Sequence, residues 1–96
     1  MSLIRKAARE EKCTLNIAGV CNYDPATVVL AHLRWLGGCG TGIKPNDLQA
    51  VFACSLCHDY IDGRRSGLSK EDRDFYALRA LARTHIRLAK KLGWKT

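Results

Sequence analysis

Two pairs of cysteines constrain this 96-residue chain more than any other feature of its sequence. A tetrahedral structural Zn²⁺ takes four thiolates and draws two distant chain segments to one point. The second pair has the CxxC spacing, which also occurs in redox sites, but no βαβ pattern surrounds it and another pair is available. The spacing therefore predicts a structural zinc site, with packed free thiols as the alternative, made of Cys13, Cys21, Cys54 and Cys57.

The length of the chain predicts a single domain over residues 1–96. A chain of this size buries only roughly 60–65% of the surface that it exposes when unfolded, so its core alone is marginal. A zinc site would offset this weakness, because apparent binding free energies in small zinc modules are about 10–16 kcal/mol.

The N-terminus predicts a cytoplasmic protein with reduced thiols. It becomes charged at Arg5 and Lys6 and has no apolar stretch of signal-peptide length. No run of residues approaches the length needed to cross a bilayer. The fifth cysteine, Cys39, lies in a glycine-rich run over residues 37–42. We expect Cys39 to be a bystander, although exchange with a zinc ligand stays open.

The apolar pattern of the first two thirds predicts an α+β fold. Residues 27–35 are β-branched and apolar, which predicts a strand. Asn46 or Asp47 is a suitable N-cap for a helical segment that begins at Leu48 and extends to residue 62, with a break at the cysteines.

The clearest predicted helix covers about residues 69–92. Ser69 and Asp72 resemble a capping box at its start, and Gly93 is a natural stop at its end. Apolar residues recur in it at helical spacing and predict a buried stripe, made of Phe75, Leu78, Leu81 or Ala82, Ile86, Ala89 and Leu92.

The charge of the chain favours a polyanionic partner. The formal net charge is +7, and nucleic acid is the first candidate for such a basic surface. The alternative is a basic surface that merely keeps the protein soluble. Phosphate contacts are expected from basic residues in segments near the histidines, which are Arg34, Lys44, Arg64 and Arg65.

Two histidines stand at defined places relative to the cysteines. An imidazole can take a proton from water near neutral pH, so His32 is a candidate general base, with a hydrogen-bonded core histidine as the alternative. His58 follows Cys57 directly, and Asp62 lies one helical turn further on the same face. This nitrogen and carboxylate could hold a divalent cation. Alternatively, His58 could be a zinc ligand and Asp62 an ordinary solvent-facing acid.

The order of these features resembles the HNH (His-Me finger) nucleases, specifically the zinc-stapled kind with a ββα-metal core between two cysteine pairs. The resemblance covers residues 13–62 as one HNH-like core, to which the C-terminal helix is added. Over its whole length, the chain is also similar to small nuclease-like proteins of lambdoid phages and prophages. The motif that carries most of the resemblance is Asn46-Asp47-Leu48-Gln49 followed by Cys54-x2-Cys57-His58.

This resemblance implies a metal-dependent DNA endonuclease that leaves a 5′-phosphate and a 3′-hydroxyl. His32 would be the general base. Asn46, or Asp47 in another register, would orient the His32 ring or cap the metal-bearing helix. His58 would hold a catalytic Mg²⁺ or similar ion at the scissile phosphate, remote from the structural zinc.

The sequence departs from the family pattern at two places. Many HNH nucleases have an Asp or His metal ligand directly before the general base, but this chain has Ala31. Asn46 also lies further from Cys54 than is common. The ion is then held by His58 with Asp62 or water, or binds only together with DNA, or does not bind at all. The last case would make the chain a non-catalytic, zinc-containing DNA-binding module on a degenerate HNH core.

Overall fold

A two-stranded antiparallel sheet and a long C-terminal helix organise the small α+β fold. The computed structural model describes residues 3–36, 46–63, 65 and 67–95. The elements within them are the helix α1 (Leu3–Ala7), the strands β1 (Val29–His32) and β2 (Ala50–Ala53), the helix α2 (Ser55–Ile61) and the helix α3 (Lys70–Leu92).

The first strand is shorter than the prediction over residues 27–35. Single 3₁₀ turns, Pro25–Thr27 and Arg34–Leu36, occupy both ends of that stretch. Asp24 fixes the first turn, because its side chain accepts the Ala26 N–H at 3.0 Å. β1 therefore contains only the residues that pair with β2, in a register that runs from Val29 opposite Ala53 to His32 opposite Ala50.

The helical segment predicted for residues 48–62 is correct only after the cysteine at which a break was expected, where α2 begins at Ser55. Its predicted start at Leu48 is wrong. The Asn46 side chain accepts the Leu48 N–H at 2.8 Å, which forms a turn rather than a helix start. The chain then enters β2, whose four residues are all buried. The short, wholly apolar run Ala50–Ala53 is compatible with either a buried strand or a buried helix when the sequence is considered alone. In the structure it is a strand because it pairs with β1.

The ends of α3 agree with the prediction. Ser69 is the N-cap and accepts the Asp72 N–H at 3.1 Å, and Gly93 stops the helix with a φ of 73°. Across the described residues, no helix combines the length and the apolar character that a membrane span requires.

The buried face of α3 differs from the predicted stripe. The predicted residues Phe75, Leu78 and Ile86 are exposed. The helix instead turns mostly small side chains towards the sheet, namely Ala77, Ala80, Thr84 and Leu88. Ala89 of the predicted stripe is also buried, but it lies outside the core cluster. Small residues let the helix axis approach the strands. The larger apolar residues recur at the same helical spacing on the opposite face, so apolar periodicity alone selects the wrong side of the helix.

A buried polar contact lies where α3 crosses β2. Thr14 Oγ1 and Thr84 Oγ1 are 2.8 Å apart, and Thr14 Oγ1 also donates to the Phe52 carbonyl at 2.9 Å. The hydroxyls therefore satisfy one another and the strand backbone inside the core. This pairing explains why a threonine occupies the middle of the buried face of α3.

An ion cluster fastens the end of α3 to the N-terminal segment. The Glu11 carboxylate accepts a hydrogen bond from Arg87 Nε at 2.7 Å and lies 3.4 Å from Lys91 Nζ. Burial alone would raise the pKa of Glu11, but the hydrogen bond and charge of Arg87, together with Lys91, outweigh burial and hold this pKa below its ordinary value of 4.5.

We expect Glu11→Gln to lower the free energy of unfolding by about 1–3 kcal/mol at neutral pH. A lowered folded-state pKa gives stability that is complete above the unfolded pKa and is lost as the pH falls through the folded value. Urea denaturation of both proteins at several pH values below neutrality should show the difference shrinking in acid. A difference that stays constant down to about pH 3 would contradict this role of the carboxylate.

Candidate metal centre and histidine site

The four paired cysteines converge at the junction of β2 and α2. Their sulfur atoms all lie within 4.8 Å of one another, and the sulfurs of Cys21 and Cys54 are 3.9 Å apart. Four sulfurs at zinc-bonding distance from one ion are separated by about 3.8 Å, whereas a disulfide requires about 2.05 Å. The cluster is a set of free thiols with the spacing of a tetrahedral metal site.

Local backbone structure directs two of these sulfurs inward. Cys54 is the N-cap of α2, and its sulfur accepts the Cys57 N–H at 3.4 Å. The Cys13 sulfur accepts the Asn16 N–H at 3.4 Å, in a turn where Asn16 has a φ of 43°. Hydrogen bonds from N–H groups favour the thiolate form, which is the form that binds metals.

Crowding drives the pKa values of the thiols apart. The hydrogen bond from the Cys57 thiol lowers the pKa of Cys13 to about 5. The same hydrogen bond raises the pKa of Cys57, and burial raises the pKa of Cys21 to about 11. The cluster accommodates one thiolate on its own, but four thiolates need a bound cation. The donor set therefore fits a thiophilic metal ion.

His32, the last residue of β1, is held by a carboxylate. Its Nε2 lies 2.8 Å from Asp47 Oδ1, and Arg5 Nε lies 3.7 Å from the same oxygen. A carboxylate accepts, so Nε2 carries the proton, and this tautomer leaves the Nδ1 lone pair available. The antiparallel register puts His32 opposite Ala50 and so brings the turn before β2 against the histidine.

Asn46 and Asp47, which the sequence left open as partners of His32, have different surroundings. Asp47 contacts the ring, whereas Asn46 is exposed and its side chain accepts the Leu48 N–H. Asn46 therefore shapes the turn that presents Asp47.

His58 and Asp62 form a second histidine–carboxylate pair, on α2. His58 Nε2 lies 2.9 Å from Asp62 Oδ2, and each side chain is 28% exposed. Cys57, the residue before His58, is fully buried. α2 therefore turns Cys57 towards the sulfur cluster and His58 towards the protein surface. Among the described residues, the cluster of sulfur ligands does not include His58, which disfavours the alternative of His58 as a zinc ligand.

The two histidine sites meet at one surface cavity. His32 and Asp62 both line a cavity of about 270 Å³, whose other lining residues are Arg34, Trp35 and Arg73. The general-base candidate and one candidate ligand of a divalent ion thus face the same space, with two guanidinium groups beside it.

Sequence reasoning missed Arg73 and Trp35. The Arg73 guanidinium carbon lies 3.7 Å from the centroid of the Trp35 ring, and Arg73 Nε donates to the Ile61 carbonyl at 2.9 Å. Trp35 Nε1 in turn donates to Asp74 at 2.8 Å. In the sequence, Arg73 is an ordinary basic residue near a helix start, and only the packing of α3 on β2, which brings its first turns to the end of α2, reveals its position.

The remaining predicted residues have mixed outcomes. Arg65 is exposed, with its Nε 3.7 Å from Asp59. Ala31 is 1% exposed and offers no ligand atom. Three residues of the predictions lie outside the described part of the chain, namely Cys39, Lys44 and Arg64.

Comparison with known proteins relates almost the whole chain to one family. Residues 2–93 match the family model described as "Putative nuclease YbcO". The chain is 51% identical over 90 residues to "Putative nuclease YbcO" of Escherichia coli (strain K12) and to "Putative nuclease ybcO" of Enterobacteria phage 82, and covers 90% of each. The predicted likeness to small nuclease-like proteins of phages and prophages is confirmed.

A solved structure shares the fold. It is described as "Structure of a putative bacteriophage protein from Escherichia coli str. K-12 substr. MG1655". Its TM-score to this chain is 0.75 at 42% sequence identity, and the match covers 91% of this chain and 96% of that one.

We expect Cys54→Ser to lose the bound metal ion and to unfold, because Cys54 supplies both a ligand and the N-cap of α2. Metal analysis of the purified wild-type protein should give about one ion per chain. Cys39→Ser is the control and should keep both metal content and circular dichroism. A wild-type preparation that is metal-free yet fully folded would contradict the site.

Proposed function

The chain belongs to the family described as "Putative nuclease YbcO", whose model matches residues 2–93, and on this premise we propose that it is a metal-dependent DNA endonuclease of the HNH type. The observation that carries the proposal is the shared cavity of His32 and Asp62, which Arg34 and Arg73 border. A base, a metal-binding carboxylate and cationic groups around one space are what phosphodiester hydrolysis requires.

His32 is proposed as the general base. Asp47 binds the Nε2–H, so Nδ1 can take a proton from water as the water oxygen attacks the phosphorus atom. The carboxylate keeps the ring in one orientation and stabilises the imidazolium that forms. The bond from phosphorus to the 3′-oxygen breaks, this oxygen takes a proton from solvent water to become the 3′-hydroxyl, and the phosphate stays on the 5′ end.

His58 and Asp62 are proposed to hold a divalent ion such as Mg²⁺, which supplies charge neutralisation at the scissile phosphate. Their side chains already meet on one face of α2 at 2.9 Å. Because Ala31 provides no third ligand, phosphate oxygens and water would complete the coordination shell. This reliance on the substrate predicts weak ion binding in the absence of DNA.

The four-cysteine cluster is proposed to hold a structural Zn²⁺. Zinc favours tetrahedral thiolate ligation, and four sulfurs leave no open position for water or substrate. The cluster therefore contributes to folding and is not the site of hydrolysis.

Arg73 and Arg34 are proposed to grip the DNA backbone at the cavity. The stacking of Arg73 on Trp35 and its bond to the Ile61 carbonyl hold the side chain in place before substrate binds. Such preorganisation reduces the entropy lost on binding a phosphate. Lys44, Arg64 and Arg65 remain candidates for contacts further along the backbone.

We expect His32→Ala to lower nicking of supercoiled plasmid by about 10²–10⁴-fold in Mg²⁺ or Mn²⁺. His85→Ala is the matched control, because His85 bonds the Leu48 carbonyl at 2.7 Å and does not line the cavity. Initial rates with the two variants and the wild type provide the measurement. If His32→Ala and the wild type nick at equal rates, His32 is not the base.

We expect Asp62→Asn to raise the Mg²⁺ concentration needed for half-maximal nicking, because one negatively charged ligand is lost. Its zinc content and melting temperature should match those of the wild type. A titration of nicking rate against Mg²⁺ separates this effect from a structural one. An unchanged half-maximal concentration would remove Asp62 from the ion site.

A non-catalytic DNA-binding module is the second candidate, and the observation that favours it is Ala31 in place of a ligand. It predicts salt-sensitive DNA binding that survives both His32→Ala and His58→Ala, with no cleavage by the wild type. Fluorescence anisotropy with a labelled duplex, run beside the nicking assay, distinguishes the two candidates.

A further inference from the structure

One face of α3 carries large apolar side chains that the core does not use. Phe75, Leu78 and Ile86 are 58%, 57% and 59% exposed. Together with Ala82 they recur every three or four residues and so share one face, which we call the outer stripe. Single exposed apolar residues are ordinary, but a continuous helical row of them marks an interaction surface.

The two ends of the outer stripe differ in shape. Near the start of α3, the aromatic ring of Phe75 is exposed to solvent. Near its end, a cavity of about 190 Å³ is lined by Ile86, Ala89, Lys90 and Trp94. This socket exists because Gly93 turns the chain back, so that the Trp94 N–H donates to the Ala89 carbonyl at 2.8 Å.

We propose that the outer stripe is the interface of a two-fold symmetric dimer, in which α3 lies antiparallel to α3 of a second copy. The spacing of the stripe is self-complementary about Ala82. Phe75 lies seven residues before Ala82 and Ala89 seven after, and Leu78 lies four before and Ile86 four after. An antiparallel pair centred on Ala82 therefore puts each Phe75 at the other copy's socket and each Leu78 on the other copy's Ile86.

Such an arrangement closes on itself. Both copies use the same surface patch, as an isologous interface requires, and each Phe75 has a socket on the other copy. Ala82 at the axis has a small side chain, which allows the two helices to approach closely.

The charges of α3 favour an antiparallel over a parallel pair. Its first turn carries Glu71 and Asp72. Its last turn carries Lys90 and also Lys91, although Lys91 pairs with Glu11 of its own chain. Antiparallel pairing puts the acidic turn of each copy near the basic turn of the other, whereas parallel pairing opposes like charges. Arg79, nearer the middle, binds its own chain, since it donates to the Leu15 carbonyl at 2.9 Å.

Sedimentation equilibrium of the zinc-loaded full chain tests the interface. We expect the wild type to reach twice the mass of the chain at micromolar concentrations. Phe75→Lys should raise the dimer dissociation constant at least about 30-fold, because it removes the aromatic ring and puts a second cation beside Lys90 in each socket. Ile86→Glu should also raise the dimer dissociation constant, because it puts a carboxylate against Leu78 of the other copy. Tyr23→Glu, at an aromatic residue that is 74% exposed elsewhere, is the matched control and should leave the constant unchanged.

Either of two outcomes would overturn the proposal. One is a wild-type chain that stays monomeric up to millimolar concentration, which would leave the stripe to another partner. The other is a dimer whose dissociation constant is the same for the wild type, Phe75→Lys and Ile86→Glu. Neither outcome depends on whether the protein cleaves DNA.

Disulfide trapping tests the position of the two-fold axis. In a Cys39→Ser background, Ala82→Cys should cross-link two copies under mild oxidation, because a disulfide needs Cα atoms within about 7 Å. Ala26→Cys, at another exposed alanine, should give no cross-linked product at the same concentration. Equal yields from the two variants would overturn the placement of the two-fold axis at Ala82.

Discussion

The convergence of four cysteines on one point is the constraint on which the rest of the structure depends. β2 runs into the cluster at Cys54, and α2 leaves it from the next residue. The direction of α2 determines the positions of His58, which lies in this helix, and of Asp62, which is its C-cap. Cys13 and Cys21 tie the N-terminal segment to the same point across more than thirty residues of chain. A core of this size is marginal alone, so a bound metal ion would contribute a large share of the folding free energy.

The sheet supplies the other half of the candidate site. It has only two strands, yet its register determines that the turn before β2 lies against the end of β1. Asp47 reaches the His32 ring for that reason. The docking of α3 then brings Arg73 to the cavity, held by Trp35 and the last turn of α2. The proposed chemistry therefore uses side chains from the sheet, from α2 and from α3, and the cysteines fix the start of α2 among these elements.

Features that depend on local chemistry could be predicted from the sequence. The cysteine spacing indicated the cluster, and Ser69 and Gly93 indicated both ends of α3, because caps and ligand pairs are short-range patterns. Features that depend on tertiary contacts could not be predicted from the sequence. β2 was expected to be helical, since Ala-Val-Phe-Ala is ambiguous until a partner strand pairs with it. The large apolar residues of α3 indicated one face, but the opposite face packs on β2 through mostly small side chains and the contact between Thr14 and Thr84.

The central claim is that two separate metal sites exist, a sulfur site for folding and a histidine–carboxylate site for catalysis. Anomalous diffraction from crystals grown with Zn²⁺, DNA and Mn²⁺ tests it most directly. The expected map has a zinc peak equidistant from the sulfurs of Cys13, Cys21, Cys54 and Cys57, and a distinct manganese peak beside His58 and Asp62. A zinc ion bound by His58 in place of a cysteine, or no manganese at Asp62 with DNA present, would contradict the claim.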